Sequence, residues 1–312
     1  MSAVVDVALP VFAIMLAGFL AGRFRILGEA SSEALNAFVY WFALPPILFL
    51  STATVPLSDV FNWPFIWTFS IGMLAVAGPS MLIAKFLFPN SFAGLTLHGL
   101  TTVFANTGYM GIPLFIAAFG PDGTLPAVIA TTINSVLIIG LAVLFVEMGQ
   151  GSGRSPVRVF GGAIRAVVTG PLFIAPVAGI LWSWSGLDLP VALANFAALM
   201  GAASGPCALF AMGLFLVGKP LSAGATEVGW MVAAKLFVQP LLTWWLAVAV
   251  FDLGSEMTRG VVLMAALPTG ALSFVIAQKY GIFVQRSSAA ILISTVLSVV
   301  TVSALLAWFG TN

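Results

Sequence analysis

From end to end the chain repeats one pattern: an apolar run about twenty residues long, a short polar interruption, then another run. About 20 such residues carry a helix across a bilayer. The runs lack the strict apolar–polar alternation of a barrel strand, so the pattern predicts helices. Ten transmembrane helices are expected, near 4–22, 34–54, 64–88, 95–119, 124–147, 168–185, 195–217, 228–250, 258–280 and 287–309. The first run has no basic stretch before it and carries Arg23 and Arg25 after it. That is the reverse of a cleavable leader, so it counts as the first span.

Two runs are interrupted where no interruption belongs. The fourth contains Ala-Asn-Thr-Gly-Tyr-Met-Gly-Ile-Pro at 105–113, and the ninth contains Pro268, Thr269 and Gly270. Proline removes a backbone donor and clashes with the preceding turn, while glycine tolerates unwound backbone. Each freed N–H or C=O costs several kcal/mol in hydrocarbon unless protein or water satisfies it. A kink alone needs no ligand, but matched breaks in two halves of a chain are the signature of a secondary transporter. The reading is a polar pocket near the midplane where the fourth and ninth spans cross. Helices that restart there present unpaired N–H groups carrying about half a positive charge, an anion site made mostly of backbone. Asn106, Thr107, Gly108, Tyr109, Pro113, Pro268, Thr269 and Gly270 are the candidate binding residues. Lys235, about two turns into the eighth span, either adds a full positive charge or snorkels to the surface. Asn134 and Gln239 read as interhelical hydrogen-bonding residues, Cys207 as packing, and most of the tryptophans as an interfacial belt.

Shifting the chain by 161 residues tests for duplication. Pro10, Phe12, Ala17 and Gly18 fall on Pro171, Phe173, Ala178 and Gly179; Pro79 falls on Pro240, Gly99 on Gly260 and Gly120 on Gly281. With a slip of one, Asn106-Thr107-Gly108 falls on Pro268-Thr269-Gly270; with a slip of three, Pro56-Leu57-Ser58 falls on Pro220-Leu221-Ser222. A chain rich in Ala, Leu, Val and Gly matches itself by accident, but here the backbone-shaping residues coincide at matching depths. Five spans per half make the repeat inverted. The expected organisation is a first repeat at 1–147, a basic cytoplasmic loop at 148–167 and a second repeat at 168–312.

Charge fixes the orientation. The 312 residues are 61% hydrophobic and 7% charged, with mean hydropathy +1.14, against roughly 25% charged in soluble domains. Arg23, Arg25, Lys85, Arg154, Arg158, Arg165, Lys219, Lys279 and Arg286 share one side of a ten-span chain, and Arg259 alone lies opposite. Basic loops stay in the cytoplasm, so both termini are expected outside, in a multi-pass protein of the inner (plasma) membrane. A net charge of +1 gives no reason to expect nucleic acid. Asp6, Asp59, Glu147, Asp188, Asp252 and Glu256 fall near ends or loops, which disfavours cation–proton exchange through deep carboxylates. No nucleophile–base set, phosphate loop or metal-ligand spacing points to an enzyme, a metal or a cofactor.

Asn-Thr-Gly-Tyr-Met-Gly-Ile-Pro in span 4, with Leu-Pro-Thr-Gly in span 9, resembles the auxin efflux carrier family, over nearly the whole chain. That family includes plant auxin exporters and bacterial transporters of malonate and related carboxylates. The resemblance implies a fold shared with bile-acid sodium symporters, in which spans 1, 2, 6 and 7 form a scaffold. Spans 3–5 and 8–10 would form a transport domain that moves as an elevator, and a homodimer is expected through spans 2 and 7. It also implies a substrate site at prolines matching Pro113 and Pro268, with Asn106 as the family's asparagine of span 4. Unlike the plant exporters, this chain has no long hydrophilic central loop, so it reads as prokaryotic.

The leading expectation is therefore a secondary carrier of small organic anions. The alternatives are a sodium-coupled symporter, an anion channel, and a membrane sensor or anchor. Sodium can bind carbonyls and hydroxyls of unwound segments without any carboxylate, so coupling to Na+ or H+ stays open.

Overall fold

The computed structural model describes residues 2–149, 161–162, 164–165, 168–218 and 224–310. Most of the basic loop at 148–167, including Arg154 and Arg158, and the Lys219 and Pro220–Ser222 positions lie outside the described residues.

Helices account for the regular structure, with no strand among the described residues beyond a single isolated bridge. In chain order they are α1 (Ser2–Arg23), α2 (Ala30–Ala53), α3 (Trp63–Leu87), α4 (Phe92–Val103), α5 (Ile112–Phe119), α6 (Leu125–Ile133) and α7 (Ile139–Gly149). Then follow α8 (Pro171–Ser185), α9 (Val191–Phe215), α10 (Ala225–Val250), α11 (Ser255–Ala266), α12 (Leu272–Tyr280) and α13 (Val284–Phe309). Five stretches are long and apolar enough to cross a membrane: α2, Leu57–Leu87, α9, α10 and α13. Several shorter apolar helices accompany them, and α4–α5 and α11–α12 are the expected broken pairs.

Proline shapes the helices locally. The wide π turns Val39–Ala43, Thr107–Gly111 and Ala234–Val238 each run straight into a proline-bearing turn, at Pro45, Pro113 and Pro240. A widened turn accommodates the ring that would otherwise strike the preceding carbonyl.

Two helix pairs pack backbone to backbone. Gly18 of α1 faces the Phe210 carbonyl of α9, and Gly179 of α8 faces the Phe49 carbonyl of α2. Gly213 of α9 faces the Met15 carbonyl of α1, while Thr52 of α2 donates to the Pro176 carbonyl of α8 at 3.1 Å. Any Cβ at these glycines would collide with backbone, so only glycine permits the approach. Residues 18 and 179, 49 and 210, 15 and 176, and 52 and 213 each differ by 161. The outer surface is apolar, with Phe86, Leu199, Val300 and Trp308 among its most exposed side chains.

Candidate functional site

α4 and α11 stop short and meet end to end. Beyond Val103 the chain turns extended at Phe104, and beyond Ala266 it does the same at Leu267. The two extended segments pair antiparallel at Ala105 and Thr269. Asn106 N–H donates to the Pro268 carbonyl and Gly270 N–H to the Phe104 carbonyl, both at 2.9 Å. The broken backbone of one segment thus satisfies that of the other.

Side chains from neighbouring helices take up the carbonyls that remain. Asn134 Nδ2 donates to Ala105 O at 2.9 Å and to Thr107 Oγ1 at 3.0 Å. Gln239 Nε2 donates to Val103 O at 3.2 Å, and Thr269 Oγ1 donates to Thr101 O at 3.0 Å. Lys235 Nζ donates to Ala265 O at 2.7 Å and to Gln239 Oε1 at 3.0 Å. Thr269 N–H finds Ser294 Oγ at 3.1 Å. Each bond replaces a water that hydrocarbon surroundings would not supply.

The restarting ends are less well provided for. Among the described residues the N–H groups of Gly108, Tyr109, Ala271 and Leu272 have no protein acceptor. Three of these residues, Tyr109, Ala271 and Leu272, line one cavity of about 710 Å³. Its lining also includes Ser32, Glu33, Asn36 and Tyr40 of α2, Leu214 and Phe215 of α9, and Arg25 and Gly28 from the connection between α1 and α2. Tyr109 Oη reaches the Asn36 carbonyl across it at 3.5 Å.

The residues singled out in the sequence therefore divide. Tyr109 faces the cavity, and Asn106 is buried with no hydrogen bond from its side chain to protein among the described residues. Thr107, Thr269 and Lys235 are engaged in bracing the crossing, Lys235 with no exposed surface at all. Pro268 gives its carbonyl to Asn106, Gly270 lies against Phe104, Pro113 packs on Gly205 of α9, and Gly108 has only ordinary neighbours. Of the sequence candidates, Tyr109 is the one that lines the cavity described above. Asn134 and Gln239 do join helices, as their amides predict, and Asn134 Oδ1 is left buried without a partner.

Sequence pattern missed the wall from α2, because Asn36 and Tyr40 sit in an unremarkable apolar run. It also passed over Glu227, only 3% exposed and gripped by His98 Nδ1 at 2.9 Å, Arg286 at 2.8 Å and Asn90 Nδ2 at 2.8 Å. An acid in the first turn of a helix ordinarily faces water as an N-terminal charge. Here α4 and α13 close over it.

Broken helices crossing beside a cavity within an apolar helical bundle define a membrane transporter. The chain matches the family described as membrane transport protein over residues 3–306, and it belongs to that family, the one containing the auxin efflux carriers. A Rhizobium meliloti protein named "Putative malonate transporter" is 32% identical over 98% of this chain and 96% of its own. An Escherichia coli protein named "Uncharacterized transporter YfdV" is 26% identical over 94% of this chain and 93% of its own. The "Auxin efflux carrier component 5" of Arabidopsis thaliana is 22% identical over 95% and 93%. The family is one of transporters and not of enzymes, and the chain is a multi-pass membrane protein.

Proposed function

We propose that this protein is a secondary carrier of small organic anions, with carboxylates of malonate size as the substrate class. One observation carries the reading: two helix starts whose N–H groups have no protein acceptor, at Tyr109 and at Ala271–Leu272, contribute to the lining of the same cavity. Unpaired donors with the positive ends of two helix dipoles favour an anion and satisfy it without a metal. Tyr109, which lines the cavity, supplies a side-chain contact, and the uncommitted amide of Asn106, buried three residues earlier in the same break, is the second candidate. The name of the Rhizobium meliloti relative points to the same substrate class.

Ten spans in two inverted halves are the architecture this reading uses. The contacts Gly18–Phe210 and Phe49–Gly179 support it, because each becomes the other under a shift of 161 residues with the partners exchanged. Helices α1, α2, α8 and α9 act as scaffold and dimer face, and α3–α7 with α10–α13 act as the moving body. The cavity takes its lining from both groups and includes Arg25 and Gly28, in a connection that charge puts in the cytoplasm. The conformation is thus the inward-open state of an elevator, with both termini outside an inner (plasma) membrane.

Purified protein in liposomes should accumulate labelled malonate with saturation and exchange it for unlabelled malonate. Asn106→Ala should lower uptake at least tenfold while leaving the melting temperature nearly unchanged, since no protein hydrogen bond is lost. Full uptake by that variant would remove Asn106 from the site; non-saturable flux would indicate a channel.

A further inference from the structure

Lys235 is not among the residues that line the cavity, yet it is wholly buried in an apolar bundle. Its neighbours explain the position. α4 and α11 both end at the crossing, and each brings a helix C-terminus with about half a negative charge. Two such ends converging in low dielectric repel each other, and their last carbonyls need donors. In broken-helix carriers, unwound carbonyls and half-helix C-termini are where a free cation such as sodium is coordinated.

In this chain the convergence is already filled. Lys235 Nζ touches the α11 end directly at Ala265 O, 2.7 Å away. It reaches the α4 end through Gln239, which accepts from Nζ at 3.0 Å and donates to Val103 O at 3.2 Å. Both partners of Nζ are acceptor oxygens, the short contact has the length of a charge-assisted bond, and neither partner is a carboxylate. The two negative helix ends, about half a charge each, together balance one ammonium. A snorkelling lysine would carry its head to the surface; this one points at the centre of the crossing.

We propose that Lys235 is a tethered cation occupying the position a coupling ion would take, so that transport runs without sodium. The inference rests on the carrier reading, and it deepens that reading by assigning the coupling. Lys235 is a positioning residue: it holds the two half-helix ends together and does not touch the substrate.

The test combines the intact protein with Lys235→Ala, which removes the ammonium and leaves its acceptor oxygens. Melting temperatures of both proteins in detergent are followed in sodium chloride, methylammonium chloride and choline chloride at equal ionic strength. The unmodified protein should melt alike in all three salts. Lys235→Ala should melt several degrees higher in sodium or methylammonium than in choline, which is too large to enter. In liposomes the unmodified protein should take up labelled malonate equally with or without sodium. Lys235→Ala should lose at least tenfold in choline and recover in part with either small cation.

Sodium stimulation of the unmodified protein would overturn the proposal. So would undiminished uptake by Lys235→Ala in choline, or a variant whose melting ignores both small cations. Should the variant fail to fold, the sodium arm on the unmodified protein decides alone. Absence of any carboxylate uptake by the unmodified protein would instead count against the carrier reading, and the melting series, needing no substrate, still reads the lysine.

Discussion

Gly108 and Gly270 carry the same signature in the sequence, each closing an Asx- or Pro-Thr-Gly triplet in a broken span, yet they occupy different surroundings. A Cβ on Gly270 would lie 2.7 Å from Phe104 Cε1 and 3.3 Å from the Ala105 carbonyl, inside the antiparallel pairing. A Cβ on Gly108 would meet nothing closer than 3.7 Å. Overpacking of that kind costs about 1–3 kcal/mol. Gly270→Ala should therefore lower the melting temperature of the purified protein, and Gly108→Ala should leave it nearly unchanged. Equal melting of the two variants would mean that the crossing yields more easily than its hydrogen bonds imply. A pattern of residue types marked both glycines as breakpoints, and the difference between them arises only from what each segment crosses. The same holds for Thr269: its hydroxyl promised a ligand contact in the sequence and is spent on Thr101 O in the fold.

At the scale of elements, the helix runs were legible because lipid imposes a length and a polarity on every span. Helices occupy the apolar runs, five of them long and apolar enough to cross a membrane and the others shorter, and both breaks fall where proline and glycine put them. What holds elements together was much less legible. Glu227 is the clearest case. It joins the start of α10 to His98 of α4, to Asn90 just before α4 and to Arg286 of α13, with separations of 129, 137 and 59 residues along the chain (227 − 98, 227 − 90, 286 − 227). No periodicity within one helix registers such a clamp. Breaking a buried ion pair by removing one partner typically costs 3–5 kcal/mol, and Arg286 keeps about a third of its side chain exposed. Glu227→Ala should thus destabilise by about 3 kcal/mol, visible as a lower melting temperature, while Glu227→Gln, which keeps shape and some hydrogen bonds, should lose less. If both variants melt with the unmodified protein, the cluster contributes specificity and no stability.

For the whole molecule the decisive question is whether one group of helices slides past the other. The cavity wall itself offers a place to ask it. Phe215 at the end of α9 and Phe274 in α12 meet edge to face with centroids 4.9 Å apart, and both line the cavity. On the elevator reading they belong to different bodies, so their contact exists only in the inward-open state. Replacing the single native thiol by Cys207→Ser gives a background in which Phe215→Cys and Phe274→Cys can be joined by a short, reducible dithiol reagent entering through the cavity. Reagent-treated double variant should lose at least nine-tenths of its malonate uptake, recover it on reduction, and differ in both respects from either single variant. Uptake that survives complete cross-linking, judged by mass, would require a path through a rigid bundle. Motion has an energetic rationale in the packing. The bracing bonds around Ala105 and Thr269 draw on α4, α10, α11 and α13 and on Asn134 just after α6, so on the elevator reading the crossing can travel as one body without breaking any of them. The α1–α9 and α2–α8 contacts are instead backbone against backbone at glycine, which suits a stationary frame. Between the two groups lie the cavity, the long 3.5 Å contact from Tyr109 to Asn36, the Ser51–Thr124 hydroxyl pair at 3.1 Å, the Phe215–Phe274 edge and the packing of Pro113 on Gly205, and these are the contacts that the elevator reading requires to be exchanged.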